Sequence, residues 1–321
     1  MRLKDNVFYI VLIATLLLAA ITPGVAAKLQ DVGYLSTICI MLMYFSMGLN
    51  TDTGALLHGL SNWRLIVFVQ AILFCLAPLY AFLLYSISVP FSGKDAAIGL
   101  LFIGCIPTTI TSCIMLTEKF GGDSVGALYN SVTSQILGVF ITPLLLSFFL
   151  STQYSVITPF SSVLKSLTIK MFIPFCAGQL ARPVRSVFGQ VPKMISFYGI
   201  FFILYMNLGH AIHQGNFIDQ LSAMVYPLLG SVVLCLLLLV SIVVISGWLK
   251  FSFPERICGI FTGAHKTLGM GIPLATIYFP DNVEAAANVS VLIIVYYVFA
   301  MFASVFVAES MQTHHIGGDS K

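Results

Sequence analysis

Charged residues are scarce in this sequence of 321 residues: Asp, Glu, Lys and Arg together make up 8%. Soluble domains carry roughly 25% charged residues, so this chain cannot cover itself with a surface that faces water. Lys and Arg form no runs and the net charge is only +3, which gives no reason to propose nucleic acid as a partner. Hydrophobic residues make up 59%, and the mean hydropathy is +0.99. The composition predicts an all-α polytopic membrane protein whose solvent is the lipid bilayer.

Cysteine pairs and catalytic motifs are absent as well. The seven cysteines lie inside apolar runs and none forms a Cys-X-X-Cys pair, so we interpret them as small buried hydrophobic residues. No His-Glu-X-X-His motif and no pair of intramembrane aspartates occurs. The sequence therefore predicts no enzyme, cofactor or metal site, although a nucleophilic Ser or Cys beside a base stays open. No charged ring or carbonyl filter motif favours a channel.

Ten apolar stretches are candidates for membrane spans, since a spanning helix needs about 20 apolar residues. We number them 1 to 10 in chain order and place them at residues 7–22, 34–49, 62–87, 94–118, 122–150, 161–181, 192–213, 222–250, 254–279 and 284–309. Arg2 and Lys4 precede span 1 and small residues follow it, so a cleaved signal peptide is the alternative for that stretch.

The distribution of Lys and Arg indicates the orientation, because cytoplasmic loops carry an excess of both. With a cytoplasmic N-terminus, ten of the 15 lie in inside segments and four in outside segments, and Lys266 lies within a span. The strongest marker is the loop at 181–193, which contains Arg182, Arg185 and Lys193. We expect both termini in the cytoplasm and the protein in an inner or plasma membrane.

The two halves of the chain, residues 1–150 and 151–321, each contain five predicted spans, so the second half would run inverted relative to the first. The fourth span of each half is interrupted. Span 4 contains Gly104, Pro107, Thr108, Thr109, Thr111 and Ser112. Span 9 contains Thr262, His265, Lys266, Thr267, Gly269, Gly271 and Pro273.

Matched interruptions of this kind are the best sequence indication of a transporter's binding site. Proline removes a backbone donor and glycine resists unwinding poorly. Irregular backbone at membrane depth is tolerated only where protein or a wet cavity satisfies it. The alternative is a pair of ordinary kinks, with hydroxyls bonded back to carbonyls of their own helix. We predict two discontinuous helices, with Gly104, Pro107, Gly269, Gly271 and Pro273 as the helix-breaking residues.

Lys266 lies near the middle of span 9, 12 residues after Pro254. A central lysine costs at least about 2.5 kcal/mol on insertion, so it must face the interior, find partners or lose its proton. We expect carbonyls of the unwound segments, or Gln70, as its neighbours. Asn130 and Ser131 lie early in span 5, where their side chains could reach the first interruption. Polar residues near the end of span 7, namely Asn207, His210 and His213, are expected at the water interface.

Several of these stretches resemble the bile acid:sodium symporter family, and most closely its cotransporter 7-like branch. They are Met47-Gly48-Leu49, Gly104-Cys105-Ile106-Pro107, Gly121-Gly122-Asp123, Tyr129-Asn130-Ser131 and His265 through Pro273. The resemblance implies ten helices in two inverted five-helix repeats, with helices 4 and 9 discontinuous and crossing. It also implies a panel domain of helices 1, 2, 6 and 7 and a core domain of helices 3–5 and 8–10. A solute would bind between these domains and cross by alternating access.

The departures from the family pattern concern its sodium ligands. Gln70 matches a family Gln, and Ser131 stands for a hydroxyl ligand. Cys113 follows Ser112 where the family has Asn, and Ala127 replaces a Ser. In span 9, Thr262 and Lys266 stand where a Glu and a Gln are expected. The resemblance therefore implies a transporter that has exchanged a carboxylate for an ammonium.

From this exchange we expect a secondary transporter of a small organic solute, an organic anion, that is not coupled to two sodium ions. Na+ and H+ both stay open as the coupling ion. The alternative is a regulatory membrane protein that affects calcium homeostasis, with which the resembled branch is associated. The expected partners are the bilayer and the solute, and the expected state is a monomer, with a weak dimer open.

Overall fold

The computed structural model describes residues 3–51, 62–153, 165–214, 222–280 and 282–318, and in them it has helices and no strand. The α-helices are α1 (Leu3–Ile21), α2 (Pro23–Asp31), α3 (Gly33–Asn50), α4 (Trp63–Ala71), α5 (Ala77–Ser92), α6 (Lys94–Ala97), α7 (Gly99–Cys105), α8 (Thr111–Lys119), α9 (Ser124–Gln153), α10 (Ile173–Leu180), α11 (Arg185–Phe188), α12 (Val191–His213), α13 (Val225–Trp248), α14 (Phe253–Ala264), α15 (Leu268–Tyr278) and α16 (Val283–Gly318). A π-helical turn, Ile72–Leu76, joins α4 to α5, and a second one, Thr168–Phe172, leads into α10.

Six helical segments in the described ranges are long and apolar enough to cross a membrane: α3, the continuous α4–α5 unit, α9, α12, α13 and α16. The pair α1–α2 is a seventh if its 91° bend lies within one span. These segments confirm a polytopic all-helical membrane protein. Predicted spans 4 and 9 are each divided into shorter helices, and predicted span 6 lies partly outside the described residues. The count of ten spans and the inverted repeat stay predictions.

The helices bury one face and expose another that is equally apolar. Leu83, Val240 and Phe306 are 51%, 61% and 70% exposed on α5, α13 and α16. Contiguous exposed apolar surface on this scale is rare on soluble monomers. Hydrocarbon solvates such a face without cost, so the outward surfaces of these helices are suited to lipid.

Two helices approach closely where both carry glycine. A Cβ added at Gly48 of α3 would collide with the backbone carbonyl of Phe175 in α10. A Cβ at Gly178 of α10 would collide with the carbonyl of Phe45 in α3. Small residues at such contacts let helix backbones pack directly, which is the usual means of association in lipid. Gln179 adds hydrogen bonds to the carbonyls of Gly48 and Thr51, at 2.7 and 3.0 Å, and so caps the end of α3.

Candidate functional site

The two interrupted spans meet inside the protein. The chain is unwound at residues 106–110, between α7 and α8, and again at residues 265–267, between α14 and α15. We call these the first and the second break. The backbone N–H of Thr267 donates to the carbonyl of Pro107 across a distance of 2.9 Å. The breaks therefore touch directly through their backbones, and we call this contact between residues 106–110 and 265–267 the crossing.

The residues that unwind are fewer than the sequence predicted. Gly104 lies in the last turn of α7, and Gly269, Gly271 and Pro273 lie inside α15. The expectation that these four residues form the breaks is wrong, and only Pro107 of the predicted set lies in an unwound segment.

Gly104 and Gly271 provide space for close packing instead of unusual backbone angles. Among the described residues, positive φ occurs at three other glycines and at Lys250. A Cβ at Gly271 would lie 2.7 Å from a methyl of Ile293 and 3.0 Å from one of Ile106. Because real Cβ atoms essentially never approach as closely as 2.7 Å, this glycine allows α15 to pack against the first break.

Lys266 is fully buried, and its ammonium spans the two breaks. Nζ donates to the carbonyls of Ile106 and Gly104, at 3.0 and 3.4 Å. Both carbonyls are at the C-terminal end of α7, where backbone acceptors lack helical donors and the helix dipole is negative. The partners of Lys266 are thus carbonyls beside the unwound segment, as expected. Within the described ranges no carboxylate pairs with Lys266.

Three more carbonyls in or next to the breaks have side-chain donors. In the first break, Thr142 donates to the carbonyl of Cys105 at 2.8 Å, and Gln135 donates to that of Thr108 at 2.6 Å. In the second span, the hydroxyl of Tyr296 donates to the carbonyl of Ala264 at 2.7 Å. Buried backbone groups in proteins are nearly always paired. Here the pairing comes from side chains of α9 and α16 that surround the breaks.

These three donors are not among the residues predicted from the sequence, although a signal for two of them exists. Ser131, Gln135 and Thr142 are spaced by four and seven residues along α9. That spacing puts them on one face of a helix. A polar stripe in an otherwise apolar span indicates a face that meets polar partners inside the bundle.

The predicted hydroxyl residues of the first break have diverse surroundings. Thr108 is buried, and its hydroxyl lies 3.3 Å from the thiol of Cys113. Thr109 and Ser112 are hydrogen-bonded to each other through their hydroxyls. Thr111, in the first turn of α8, is exposed. The first break therefore presents hydroxyls both to the protein interior and to its surface.

In the second span, Thr262 is buried and its hydroxyl donates to the carbonyl of Cys258 in its own helix at 2.7 Å. This is the ordinary pattern of a helical threonine. His265 is buried, with Nε2 2.8 Å from the hydroxyl of Ser304 in α16. Thr267 is half-buried and contributes its backbone N–H. Of the side chains near this break, His265 is therefore anchored to α16, and Thr262 bonds within α14.

Gln70 and Asn130 are hydrogen-bonded to each other, and Ser131 follows Asn130 in α9. Gln70 Nε2 donates to the backbone carbonyl of Asn130 at 3.2 Å, and the hydrogen bonds of Lys266 Nζ go to Gly104 and Ile106 and not to Gln70. Three buried oxygens here have no hydrogen-bond partner: Gln70 Oε1, Asn130 Oδ1 and Ser131 Oγ. All three can accept hydrogen bonds or coordinate a small cation. The described residues contain no group of three His, Cys, Asp or Glu that could hold a metal ion.

Asn207 is not at a water interface, contrary to the expectation. It is fully buried, and its amide donates to the hydroxyl of Thr276 at 3.1 Å. The reason is the packing of α12 against α15, which covers this turn of α12. His213, two turns further on, is exposed.

Comparison with known proteins identifies the family. The model of the SBF-like CPA transporter family matches residues 6–313, which is nearly the whole chain. The chain belongs to this family. Membership in the SBF-like CPA transporter family agrees with the resemblance carried by the residues of the two breaks.

Relatives of this SBF-like protein occur in bacteria and vertebrates. Uncharacterized protein PA2026 of Pseudomonas aeruginosa is 30% identical over 286 residues, covering 87% of this chain and 85% of the relative. Sodium/bile acid cotransporter 7 of Mus musculus is 27% identical over 310 residues, covering 92% and 89%. Putative symporter YfeH of Escherichia coli is 26% identical over 282 residues, covering 86% and 84%. The chain is thus similar to symporter-like membrane transporters along nearly their full lengths.

Proposed function

We propose that this SBF-like protein is a secondary active transporter of a small organic anion that works by alternating access. In this proposal Lys266 provides a fixed positive charge at the crossing, and transport does not require two sodium ions. The observation that carries the proposal is the buried ammonium of Lys266, which bridges the two breaks through the carbonyls of Gly104 and Ile106.

The charge at the crossing supports an anionic solute. Besides Lys266, the helices α8 and α15 both begin at a break, at Thr111 and Leu268. The N-terminal end of a helix carries partial positive charge and free backbone donors. Two such ends beside a buried ammonium make the region favourable for a carboxylate, sulfonate or sulfate group. The exposed hydroxyl of Thr111 lies where such a group would first meet the first break.

The sodium ligands implied by the family resemblance are incomplete. The hydroxyl of Thr262, at the position where a carboxylate is expected, is directed to Cys258 in its own helix. The oxygens of Gln70, Asn130 and Ser131 are neutral, and hard cations are usually bound with at least one carboxylate. These oxygens are suited to a water molecule or to one weakly held cation. We therefore propose at most one coupling cation, Na+ or H+, in addition to the fixed charge of Lys266.

The membrane arrangement completes the proposal. We propose ten spans in two inverted repeats, a panel and a core domain, both termini in the cytoplasm of a cell membrane, and a monomeric transport unit. A fusion of a cytoplasm-active reporter to each terminus tests the orientation. Activity of the reporter at only one terminus would contradict an even number of spans.

Uptake into proteoliposomes tests the function. A thermal-stabilisation screen with organic anions and size-matched organic cations selects the solute, and its radiolabelled form is then assayed with a clamped membrane potential. We expect anions to stabilise the protein and uptake to exceed that of protein-free liposomes. The initial rate should depend on the Na+ concentration with a Hill coefficient of no more than one, because the proposal allows at most one coupling cation. A Hill coefficient for Na+ near two would contradict the coupling proposal but leave transport intact, whereas no flux of any stabilising solute would contradict transport itself.

A further inference from the structure

A groove at one end of the bundle lies outside the crossing. It is a cavity of about 620 Å³ between α13, α14 and α16, and Phe251, Phe253, Arg256, Phe306, Ser310 and Met311 contribute to its walls. Phe306 is 70% exposed and Ser310 is exposed, so the groove opens to the outer surface of the bundle. Its lining is therefore apolar on the side of α16, with one cation on the side of α14.

The cation of the groove, Arg256, has spare donors. Its Nε lies 3.4 Å from the hydroxyl of Ser246, and Nη2 lies 3.4 Å from the carbonyl of Val243. A guanidinium has five N–H donors arranged to grip two oxygens of one anion. In the part of the chain that the structure describes, no carboxylate pairs with Arg256. The side chain is half-buried, so its charge is presented to whatever enters the groove.

The two tryptophans of the chain mark the depth of the groove. Trp63, the first residue of α4, is 61% exposed, and Trp248, the last residue of α13, is 78% exposed. The guanidinium of Arg64 donates to the carbonyl of Leu249 at 3.2 Å, so the two helix ends are at the same level. Exposed tryptophans collect at the boundary between hydrocarbon and headgroups. Arg256, in the first turn of α14 and eight residues after Trp248, lies close to this boundary.

We propose that the groove binds one anionic phospholipid, with its phosphodiester on Arg256 and an acyl chain along Phe306 and Met311. Basic pockets between membrane helices are suited to anionic headgroups. The exposed apolar wall distinguishes this site from one for free phosphate, since it contributes only when the ligand carries a hydrocarbon chain. The groove is separate from the crossing and does not depend on the proposed transport function.

Native mass spectrometry of the full chain in an uncharged detergent tests this proposal. The probe is dioleoyl-phosphatidylglycerol, compared with dioleoyl-phosphatidylcholine of the same chain length. We expect the wild type to retain one phosphatidylglycerol preferentially. Arg256→Gln should weaken that binding roughly fivefold or more, the effect of one basic side chain on an anionic lipid. Arg185→Gln removes the same charge from α11, outside the groove, and should leave binding unchanged.

Three further measurements keep the result interpretable. Arg256→Lys keeps the charge but loses the two-pronged grip, so its affinity should be intermediate. Phe306→Ala changes an exposed side chain, so it should weaken lipid binding while the protein keeps its melting temperature. Glycerol 1-phosphate should not compete at the concentrations at which the lipid binds. Equal retention of phosphatidylglycerol by wild type and Arg256→Gln, equal retention of both lipids, or competition by glycerol 1-phosphate would each overturn the proposal.

Discussion

The first break unwinds five residues and the second only three, and their backbones are held open by different means. The first contains Pro107, and a residue before proline avoids the helical region; Ile106 is accordingly extended, with φ −79° and ψ 148°. The second contains no proline. His265 is nevertheless extended there, with φ −74° and ψ 147°. The first break is thus encoded in its local sequence, whereas the second depends on tertiary hydrogen bonds.

The two breaks also divide donors and acceptors between them. The first contributes carbonyls, and the second contributes the ammonium of Lys266 and the N–H of Thr267. Even if the two halves are inverted repeats with equivalent backbones, they differ in which one contributes donors and which one contributes acceptors. The crossing is therefore polarised: the buried ammonium of Lys266 belongs to the second break, which contains no proline. Substitutions at either break can test this division.

The largest expected effect is that of Lys266→Met, which removes the charged donor from the second break. Uptake of the solute chosen by the stabilisation screen should fall to the level of protein-free liposomes. The carbonyls of Gly104 and Ile106 lose their donor, which costs roughly 1–3 kcal/mol of stability for each carbonyl. This cost is partly offset because an ammonium is no longer buried. The protein should therefore still fold, with a modestly lower melting temperature. Lys193→Met, the same change at an exposed lysine, should leave both quantities unchanged, and full uptake by Lys266→Met would remove the lysine from the mechanism.

Gly138→Ala probes the first break by crowding it. The added Cβ would lie 2.7 Å from the ring of Pro107, which is rigid and cannot rotate away. We expect the free energy of unfolding to decrease by about 1–3 kcal/mol, the usual cost of overpacking. Gly33→Ala is the control, since no atom lies within 4 Å of its added Cβ. Equal melting temperatures for the two variants, measured in the same detergent, would show that Pro107 is not held against α9.

Tyr296→Phe probes the dependence of the second break on tertiary donors. It removes the hydroxyl that donates to the carbonyl of Ala264, which should cost about 1 kcal/mol and lower the melting temperature by a few degrees. Tyr226→Phe is the matched control, because Tyr226 is 49% exposed and its ring stacks on Phe91. Within the described residues, its hydroxyl makes no hydrogen bond to a backbone carbonyl. If the two variants melt alike, the second break is held by something other than this bond.

Thr262→Val should have the smallest effect. The hydroxyl of Thr262 bonds only within its own helix, and helical threonines gain little from such a bond. We expect a change of less than about 1 kcal/mol in the free energy of unfolding, with unchanged uptake. Thr37→Val makes the same change at a half-buried threonine with the same type of bond, to Gly33. A large loss of uptake in Thr262→Val alone would assign Thr262 to ion or solute binding.

Much of this arrangement could be predicted from the sequence because its signals are local. Apolar length predicted helices such as α12 and α13, and one lysine in an apolar run identified the polar crossing. The helix-breaking role of Gly271 was predicted wrongly, because a glycine needed for packing and one needed for unwinding look alike in a sequence. The donor Tyr296 was missed because its partner lies 32 residues away, and no local pattern records such a pairing.

The donor–acceptor division between the breaks also bears on biosynthesis. When the first half has entered the membrane, Thr142 and Gln135 can already satisfy the carbonyls of Cys105 and Thr108. The donor for the carbonyl of Ile106 is Lys266, which is synthesised 160 residues later. The newly made first half therefore holds an incompletely satisfied helix end in the bilayer until the ninth predicted span arrives. Insertion of that span supplies the missing donor, and α16 then supplies Tyr296 for the carbonyl of Ala264, so the nascent chain has a late assembly step at its centre.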